Sequence, residues 1–277
     1  MNRINKHIYV LLVVTSAIFM TACEEVIDID LNTAAPRITV QAEITDQPGP
    51  YSVTLLKSES YFASNDSFPP VRNATVSISD DAGNAEALLE TTPGVYKTTA
   101  LQGVNGRTYH LKIVAEGKTY EAYSYLPLPV KLDSVVSSKI TATGPRSKES
   151  NKYYVKCLFN DPAGIADYYR VESAVVNTDT LSSFYQIYSD EVSDGQRITY
   201  PVQRPTFNLG DTATIMLYHI NSSNYNYYKT ANNILKNKKG PMASASAPQA
   251  NPLTNISGGA LGYFGAYAVS LKRIVVK

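Results

Sequence analysis

Short segments in which apolar and polar residues alternate restrict the fold of this chain more than any other feature. Residues 74–79 read Ala-Thr-Val-Ser-Ile-Ser, and the turn-forming stretch 80–84 follows them. A period of two indicates a strand with one buried face, and Asp, Gly and Asn favour a hairpin connection. Such segments recur at short intervals, and about seven strands at this spacing predict an immunoglobulin-like β-sandwich over residues 37–126. The clearest segments are 37–44, 51–56, 74–79, 94–98, 109–115 and 118–125.

A second, less regular β-rich domain is predicted for residues 131–277. Two prolines within residues 127–130 favour an extended connector before it. Residues 222–239 differ from the rest, because Tyr227 and Ala231 recur at helical spacing and a Gly-Pro pair follows the segment. We therefore predict one helix there, with one of its first two serines as the N-cap. The strand-like segments of this domain are 132–140, 152–159, 168–176, 197–202, 212–220 and 267–276.

Charge and cysteine content argue against two classes of protein. The chain has 25 lysines and arginines against 24 aspartates and glutamates, so it lacks the basic excess that nucleic-acid binding requires. It has 2 cysteines, Cys23 and Cys157. Cys157 lies in the strand-like segment 153–159 and is predicted to be a small buried core residue. Because Cys23 is the predicted site of lipidation, as argued below, Cys157 has no partner and we expect no disulfide.

Residues 1–22 have the features of a secretory signal. Arg3 and Lys6 precede an apolar run over residues 8–20 that is too short to span a membrane comfortably. The segment ends at Cys23 and resembles the lipobox of bacterial lipoproteins, although methionine stands where leucine is usual, three positions before the cysteine. The resemblance implies that Cys23 is lipidated and becomes the first residue of a membrane-anchored protein. The alternative is an ordinary signal peptide followed by a cysteine of no special role.

An acidic tether is predicted for residues 23–36. Four carboxylates are clustered in its first eight residues, directly after the predicted anchor. This acidic cluster resembles the surface-export signal of Bacteroidota lipoproteins, and the resemblance implies display on the cell surface. The alternative is a solvated acidic tether without an export role, because charge clusters near chain ends are common. The carboxylates concerned are Glu24, Glu25, Asp28 and Asp30.

Longer pieces of the chain resemble the family known as domain of unknown function 4249. The pieces occur in order over nearly the whole mature chain. Members of this family are found chiefly as Bacteroidota lipoproteins and are often encoded beside TonB-dependent receptors. The resemblance therefore implies an outer-membrane location and such a receptor as a partner, and it supplies no catalytic residues. The pieces are CEEVIDIDLNTAAPRITVQAEITDQPGPYSVTL, ATVSISDDAG, ETTPGVYKT, GRTYHLKI, LPLPVKLDSV, FNDPAGIADYYRV and NPLTNISGGALGYFGAYAV.

We find no local motif for catalysis, a cofactor or a metal. His110 and His219 lie in strand-like segments without neighbours at metal-ligand spacing, so both are interpreted as structural. The chain has neither a nucleophile elbow nor a glycine-rich phosphate loop. The turns at 80–81 and 161–164 could hold calcium, but neither repeats the spaced carboxylates of an EF-hand, and plain turns are the preferred interpretation. A Ser-His-Asp triad could still assemble from distant positions.

Tyrosines and glycines of the C-terminal half are candidate partner contacts. Tyrosine has an apolar ring and a polar tip that suit contacts to protein or sugar, and glycine permits close backbone approach. The alternatives are a tyrosine-rich surface without a partner and a tight internal turn that packs the last strand. The candidates are Tyr225, Tyr227, Tyr228, Gly258, Gly259 and Gly262.

The predicted function is that of an outer-membrane lipoprotein displayed on the cell surface. We expect a non-enzymatic accessory to a TonB-dependent receptor that helps to capture or admit a nutrient whose identity the sequence does not reveal. The first alternative is a stand-alone ligand-binding or adhesion lipoprotein. The second is a hydrolase with a dispersed site, which a compact cleft joining His219 to carboxylates would favour.

Overall fold

The computed structural model describes residues 35–59, 68–141, 150–175, 184–239 and 251–277. Fifteen strands and one helix lie in this part of the chain, and Pro36–Lys277 forms one compact unit. The first eight strands are β1 (Ile38–Thr45), β2 (Ser52–Lys57), β3 (Thr75–Asp80), β4 (Ala85–Ala87), β5 (Leu89–Thr92), β6 (Val95–Lys97), β7 (Thr108–Ala115) and β8 (Lys118–Tyr125). The later elements are β9 (Leu132–Lys139), β10 (Tyr153–Asn160), β11 (Tyr168–Val175), β12 (Phe184–Ser189), β13 (Arg197–Phe207), β14 (Thr212–Ile220), α1 (Ser222–Lys239) and β15 (Leu261–Val275).

The mostly β fold with a single C-terminal helix is confirmed, but three strands were not predicted. Strands β4 and β5 are three and four residues long and rich in alanine, glutamate and threonine, so they show little strand pattern. Strand β12 has aromatic residues at both parities and therefore no period of two. Strand β13 extends past the predicted 197–202 because it is an edge strand, where its prolines are tolerated. Strand β15 begins at Leu261 rather than Tyr267.

One eight-stranded sheet organises the described residues. Its order is β12-β11-β14-β15-β1-β2-β6-β5, and the 15-residue strand β15 runs antiparallel to β14 and parallel to β1. Two smaller sheets have the orders β4-β3-β7-β8 and β13-β10-β9. Strand β15 therefore joins the N-terminal and C-terminal halves of the chain within one sheet.

Two hydrophobic cores lie against the same face of this sheet. The first core contains Phe264, Ala266 and Ala268 of β15, and Ile274 of the same strand packs against the second core. Residues two apart in a strand point to one face, so both cores share the face that these residues define. The first core joins this face to β3, β7 and β8, and the second joins it to β9, β10 and β13.

The predicted connector at residues 127–130 lies between the segments that build the two cores. Leu126 is buried in the first core and Val130 in the second. Because residues of β15 belong to both, the two cores are carried by a single sheet, and the division of the chain into two domains stays a prediction. Cys157 is fully buried in the second core, which confirms its interpretation as a core residue.

The opposite face of the large sheet is covered by helix α1, whose bounds match the predicted 222–239. Asn221 is the N-cap, because its side-chain oxygen accepts a hydrogen bond from the backbone N–H of Asn224 at 3.0 Å. Its carbonyl also accepts the first helical hydrogen bond, from the N–H of Tyr225 at 3.0 Å. The predicted serine cap is therefore wrong by one residue, since asparagine caps a helix as well as serine does.

Tyrosine–tyrosine contacts attach α1 to the sheet. Each of three helix tyrosines packs on one strand tyrosine at a ring separation typical of favourable aromatic pairs. The pairs, with their centroid separations, are Tyr225–Tyr168 (5.0 Å), Tyr227–Tyr263 (4.9 Å) and Tyr228–Tyr185 (4.8 Å). The helix is therefore held by aromatic rings on β11, β12 and β15.

Gly262 allows β15 to lie beside β1. Its φ is +90°, and a Cβ at this position would lie 1.9 Å from the carbonyl oxygen of Val40, its register partner. Gly259 also has a positive φ, +81°, but no atom lies within 4 Å of where its Cβ would be. The two glycines therefore share a backbone conformation and differ in the space around it.

We expect Gly262→Ala to lower the free energy of unfolding by about 3 kcal/mol or more, because positive-φ strain and overpacking add at this position. The matched variant Gly259→Ala should lose only about 1 kcal/mol, from the backbone term alone. Urea unfolding of both variants beside the wild type measures the difference. Equal losses would show that the packing of β15 on β1 does not require a glycine at 262.

Candidate functional site

Arg170 is a buried arginine in the middle of β11. Tyr169 and Val171 belong to the second core, so the alternation of the strand turns Arg170 to the opposite face, where it is 4% exposed. Its guanidinium carbon lies 4.0 Å from the ring centroid of Tyr218 and 4.8 Å from that of Tyr267. A cation at this distance from an aromatic face is attracted by the ring quadrupole.

Two carboxylates and a helix tyrosine complete the surroundings of Arg170. Its Nε lies 3.3 Å from Glu172, and one of its terminal nitrogens lies 3.8 Å from Glu43. The other terminal nitrogen donates a hydrogen bond to the hydroxyl of Tyr228. A buried charge is costly unless it is paired, and these groups compensate the guanidinium.

A cavity of about 440 Å³ opens beside Arg170, between α1 and the face of the large sheet that lies opposite the two hydrophobic cores. We call this face the outer face. We call the cavity the tyrosine pocket, because six tyrosines line it together with Arg170, Glu43, Glu172 and Gln41. Strands β1, β11, β12, β14 and β15 supply the floor, and the helix supplies one wall. The tyrosines are Tyr185, Tyr218, Tyr227, Tyr228, Tyr263 and Tyr267.

Two polar groups that line the tyrosine pocket have no hydrogen-bond partner among the described residues. The hydroxyl of Tyr263 and the Nε of Arg170 are both buried and lack an acceptor in hydrogen-bond geometry. An unsatisfied buried polar group costs about 1–3 kcal/mol. Both groups can donate, so a ligand that carries hydrogen-bond acceptors would satisfy them.

Five of the six tyrosines of the pocket have a hydroxyl whose pKa is raised by burial, so that these five stay protonated over the physiological range. Burial raises the pKa of Tyr185 to about 12. Burial likewise raises the pKa of Tyr218, Tyr227, Tyr263 and Tyr267 above the ordinary value. Each hydroxyl can therefore donate a hydrogen bond as well as accept one.

A second depression, of about 430 Å³, lies in the N-terminal sandwich, and its charged groups are already paired. The carboxylate of Glu86 accepts hydrogen bonds from the backbone N–H groups of Thr99, Ala100 and Leu101. Asp80 lies 2.6 Å from Arg107 in an ion pair. These groups serve loop structure, so the depression is the weaker candidate.

The predicted contact residues are distributed unequally around the tyrosine pocket. Tyr227, Tyr228 and Gly262 line it, and Tyr225 packs on Tyr168 outside it. Their role as partner contacts stays a prediction. The predicted anchor and export residues, Cys23, Glu24, Glu25, Asp28 and Asp30, lie outside the described residues.

Gly258 and Gly259 lie in the turn before β15. A Cβ at Gly258 would lie 2.9 Å from the ring of Tyr120 and 3.0 Å from the carbonyl oxygen of Thr119. The carbonyl of Gly259 accepts a hydrogen bond from Nε of Arg37 at 2.8 Å. Gly258 is therefore required for internal packing, whereas the space around Gly259 is open.

Arg170 and the strand tyrosines of the pocket were not predicted as site residues. They come from β11, β12, β14 and β15, and alternation in a single strand does not reveal which strands become neighbours. The available signal was an arginine between Tyr169 and Val171. The same pattern is typical of an ordinary strand position that faces solvent.

A cluster of three carboxylates lies on the other face of the sheet, at the ends of β10, β11 and β12. Asp161, Asp167 and Asp190 are 6%, 3% and 3% exposed, and one ligand oxygen from each lies within 4.8 Å of the others. We call these residues the carboxylate cluster. The backbone N–H of Asp167 donates to Asp190 at 2.9 Å, and that of Gly195 donates to Asp161 at 2.9 Å. Burial raises the pKa of Asp167, although His219 opposes the shift.

His219 is buried against the carboxylate cluster. Its Nδ1 lies 2.7 Å from the carbonyl oxygen of Leu128 and its Nε2 lies 2.9 Å from Asp167. Because a carbonyl oxygen only accepts, Nδ1 carries a proton. Both ring nitrogens are occupied, so His219 has no free nitrogen with which to activate a nucleophile.

A family model described as "Domain of unknown function (DUF4249)" matches residues 24–273. The chain belongs to this family. The resemblance found in the sequence is thereby confirmed over nearly the whole of the chain that follows Cys23. No curated protein matches this DUF4249 chain at a significant level.

Three of the solved structures that are similar to this DUF4249 chain come from chicken. A segment of two fibronectin type III domains of tenascin is 12% identical, with 67% of this chain and 91% of that chain covered and a TM-score of 0.22. The FN1–FN3 domains of CNTN1 are 10% identical, with 69% and 63% covered and a TM-score of 0.25. The interferon gamma receptor alpha chain is 8% identical, with 67% and 90% covered and a TM-score of 0.18.

The tyrosine pocket offers a matched pair of hydroxyl deletions on β15. The hydroxyl of Tyr267 donates to the buried side-chain oxygen of Asn224 at 3.0 Å, whereas that of Tyr263 has no partner. We expect Tyr267→Phe to lower the free energy of unfolding by about 1–3 kcal/mol, because it leaves the asparagine unsatisfied. Tyr263→Phe should instead raise it by about 1–3 kcal/mol, because the hydroxyl that it removes is buried and unsatisfied. Denaturant unfolding without added ligand tests this, and a larger loss for Tyr263→Phe would contradict the assigned hydrogen bonds.

Proposed function

We propose that this protein is a surface-displayed lipoprotein of the outer membrane that acts as a non-enzymatic accessory to a TonB-dependent receptor. In this proposal Cys23 carries the lipid, and the carboxylates Glu24, Glu25, Asp28 and Asp30 direct export to the cell surface. The tyrosine pocket captures a small nutrient ligand, which the receptor then takes up. Membership of the DUF4249 family supports this assignment through the Bacteroidota lipoproteins and neighbouring receptor genes that the resemblance implies.

Anchoring by lipid is consistent with the sequence around Cys23. Two acyl chains hold a protein stably on a membrane, because each buried CH₂ contributes about 0.8 kcal/mol. No helix among the described residues is long and apolar enough to cross a membrane.

The tyrosine pocket is the observation that carries the proposed capture function. Its volume of about 440 Å³ lies within the range of small-molecule sites, which is roughly 300–1,000 Å³. It combines aromatic faces with unsatisfied donors at Arg170 and Tyr263. Three of the predicted contact residues line it. A pocket of this kind holds a ligand without requiring any reacting group.

A sugar-like ligand suits the chemistry of the tyrosine pocket. Tyrosine rings offer flat apolar faces for the C–H groups of a sugar ring, and their hydroxyls can donate or accept hydrogen bonds. Glu43, Glu172 and Gln41, on the strands that form the floor of the pocket, add acceptors for sugar hydroxyls. Because Glu43 and Glu172 already compensate Arg170, the pocket has no net positive charge to select an anion.

The groups that a hydrolase would need are engaged elsewhere in the described part of the chain. His219 uses both ring nitrogens in hydrogen bonds. Burial raises the pKa of the Cys157 thiol to about 12, so the nucleophilic thiolate is not formed at neutral pH. His110 stacks on Tyr123 at a centroid distance of 4.4 Å and lies 3.7 Å from Glu121, away from the tyrosine pocket.

A stand-alone ligand-binding lipoprotein is the second candidate, because the same tyrosine pocket would serve it. The two functions differ in one respect, which is the presence of a β-barrel receptor in the purified complex.

We expect neutral mono- and disaccharides, added one at a time to the purified full chain, to include a class that raises the melting temperature. Tyr228→Ala should abolish this shift, because it removes the ring that contacts Arg170 and Tyr185. Tyr125→Ala is the matched control, since Tyr125 is 44% exposed and does not line the pocket. A shift that survives Tyr228→Ala, or a panel without any shift, would contradict the proposed capture of sugars.

We expect a β-barrel protein to co-purify when the tagged full chain is isolated from native membranes in mild detergent. Mass spectrometry of the complex identifies the barrel. Cys23→Ala should leave the membrane fraction and lose the barrel, because it lacks the lipid that places it beside the receptor. Recovery of a lipidated chain without any barrel would reject the receptor and retain the stand-alone candidate. An intact mass that shows an unmodified Cys23 would reject the anchor itself.

A further inference from the structure

The carboxylate cluster is built by two turns, β10–β11 and β12–β13, that the fold brings together at the second core. Asp161 directly follows β10, Asp167 directly precedes β11, and Asp190 directly follows β12. Strands β11 and β12 are paired with Tyr168 opposite Ser189, so Asp167 and Asp190 lie side by side at the strand ends. The ligand oxygens of the three residues then lie within 4.8 Å of one another in a buried position.

The charges of the carboxylate cluster are not balanced by the described protein groups. Among the ion pairs of the described residues, His219 is the only partner of these carboxylates. Even with His219 protonated, three carboxylates leave two negative charges in a buried volume. Burying unpaired charge is expensive, so a compensating cation would stabilise this arrangement.

One oxygen of the cluster is a buried acceptor that has no partner. Oδ1 of Asp167 is bonded to His219, whereas Oδ2 is inaccessible to solvent and has no hydrogen-bond partner among the described residues. The other carboxylates are held in place by donors: Asp161 accepts from Tyr169 and Gly195, and Asp190 accepts from the N–H of Asp167. This buried oxygen has free lone pairs and belongs to a carboxylate that lies beside two others. A cation bound there would satisfy it.

The donor set favours a hard divalent cation. Both nitrogens of His219 are engaged, so the cluster offers carboxylate oxygens and no nitrogen or sulfur. Oxygen ligands suit Ca²⁺, Mg²⁺ and Mn²⁺ rather than softer ions. Calcium accepts irregular sets of six to eight oxygens, whereas magnesium demands a near-ideal octahedron and gives up its water reluctantly. Carboxylates supplied by two separate turns, without octahedral geometry, fit calcium better.

We propose that Asp161, Asp167 and Asp190 form a calcium site that ties the β10–β11 turn to the β12–β13 turn. Of the turn 161–164, which the sequence marked as a weak calcium candidate, only Asp161 takes part; Asp167 and Asp190 come from outside it. Calcium sites of extracellular modules have dissociation constants of about 10⁻⁴ to 10⁻³ M. A site of this strength would be filled in a millimolar calcium medium outside the cell.

The test uses the full chain, purified from membranes in detergent and stripped with EDTA. Titration with CaCl₂ in a calorimeter should show one ion bound per chain, and calcium should raise the melting temperature. Asp190→Asn should weaken binding at least tenfold, because it removes one negative charge while its amide oxygen can still accept from Asp167. Asp194→Asn should leave calcium binding within twofold of wild type, since Asp194 lies in the same turn, accepts a hydrogen bond from the N–H of Gly164 and is not part of the carboxylate cluster.

A second measurement keeps the proposal testable if Asp190→Asn fails to fold. Terbium replaces calcium at oxygen sites, and Tyr169, whose hydroxyl donates to Asp161, is close enough to sensitise its luminescence. Wild-type protein should show this luminescence, and CaCl₂ should quench it by displacement. The proposal is overturned if wild type gives neither calcium-dependent heat nor a shift in melting temperature, or if Asp190→Asn binds calcium as wild type does. A stronger response to MgCl₂ or MnCl₂ overturns the assignment to calcium.

Discussion

The pairing of β15 with both β1 and β14 is the constraint on which the rest of the structure depends. Strand β1 opens the described chain and β15 closes it, so this parallel pair joins two segments that are more than two hundred residues apart. Residues of β15 enter both hydrophobic cores, and without this strand the eight-stranded sheet would separate into two unconnected parts. Gly262 makes the pairing possible, because any side chain there would collide with the backbone of Val40.

The same strand builds the tyrosine pocket on its other face. A Cβ at Gly265 would lie 1.8 Å from the hydroxyl of Tyr267, so the glycine leaves room for that ring to lie along the sheet. Tyr267 then contacts the guanidinium of Arg170 and donates to Asn224 of the helix. The glycines of β15 therefore serve both the close approach of strands and the shape of the pocket, which is why this segment contains more of them than an ordinary strand.

Strand β11 and the residue before it bury groups of opposite charge on the two faces of the sheet: Arg170 on one face and Asp167 on the other. On the outer face, Arg170 is buried and compensated by two carboxylates and by aromatic faces. On the opposite face, at the start of the strand, Asp167 lies among carboxylates, and His219 is the only basic side chain that pairs with them in the described part of the chain. In the first arrangement the charge is compensated, and the groups frame a cavity. The second is incomplete and accounts for the inferred cation.

The sequence by itself determined most of the strands, where the helix lies and that Cys157 is buried, because alternation, helical spacing and turn residues are local properties. It missed β4, β5 and β12, in which no period of two is visible. It also identified the family, through pieces spread over the whole chain. The tertiary structure alone decided which strands are neighbours, and therefore which side chains meet. A period of two assigns a residue to a face of its strand but gives no information about the strand beside it. The residues assembled only in this way are Arg170, Tyr185, Tyr218, Tyr263 and Tyr267 in the tyrosine pocket, and Asp161, Asp167, Asp190 and His219 around the carboxylate cluster.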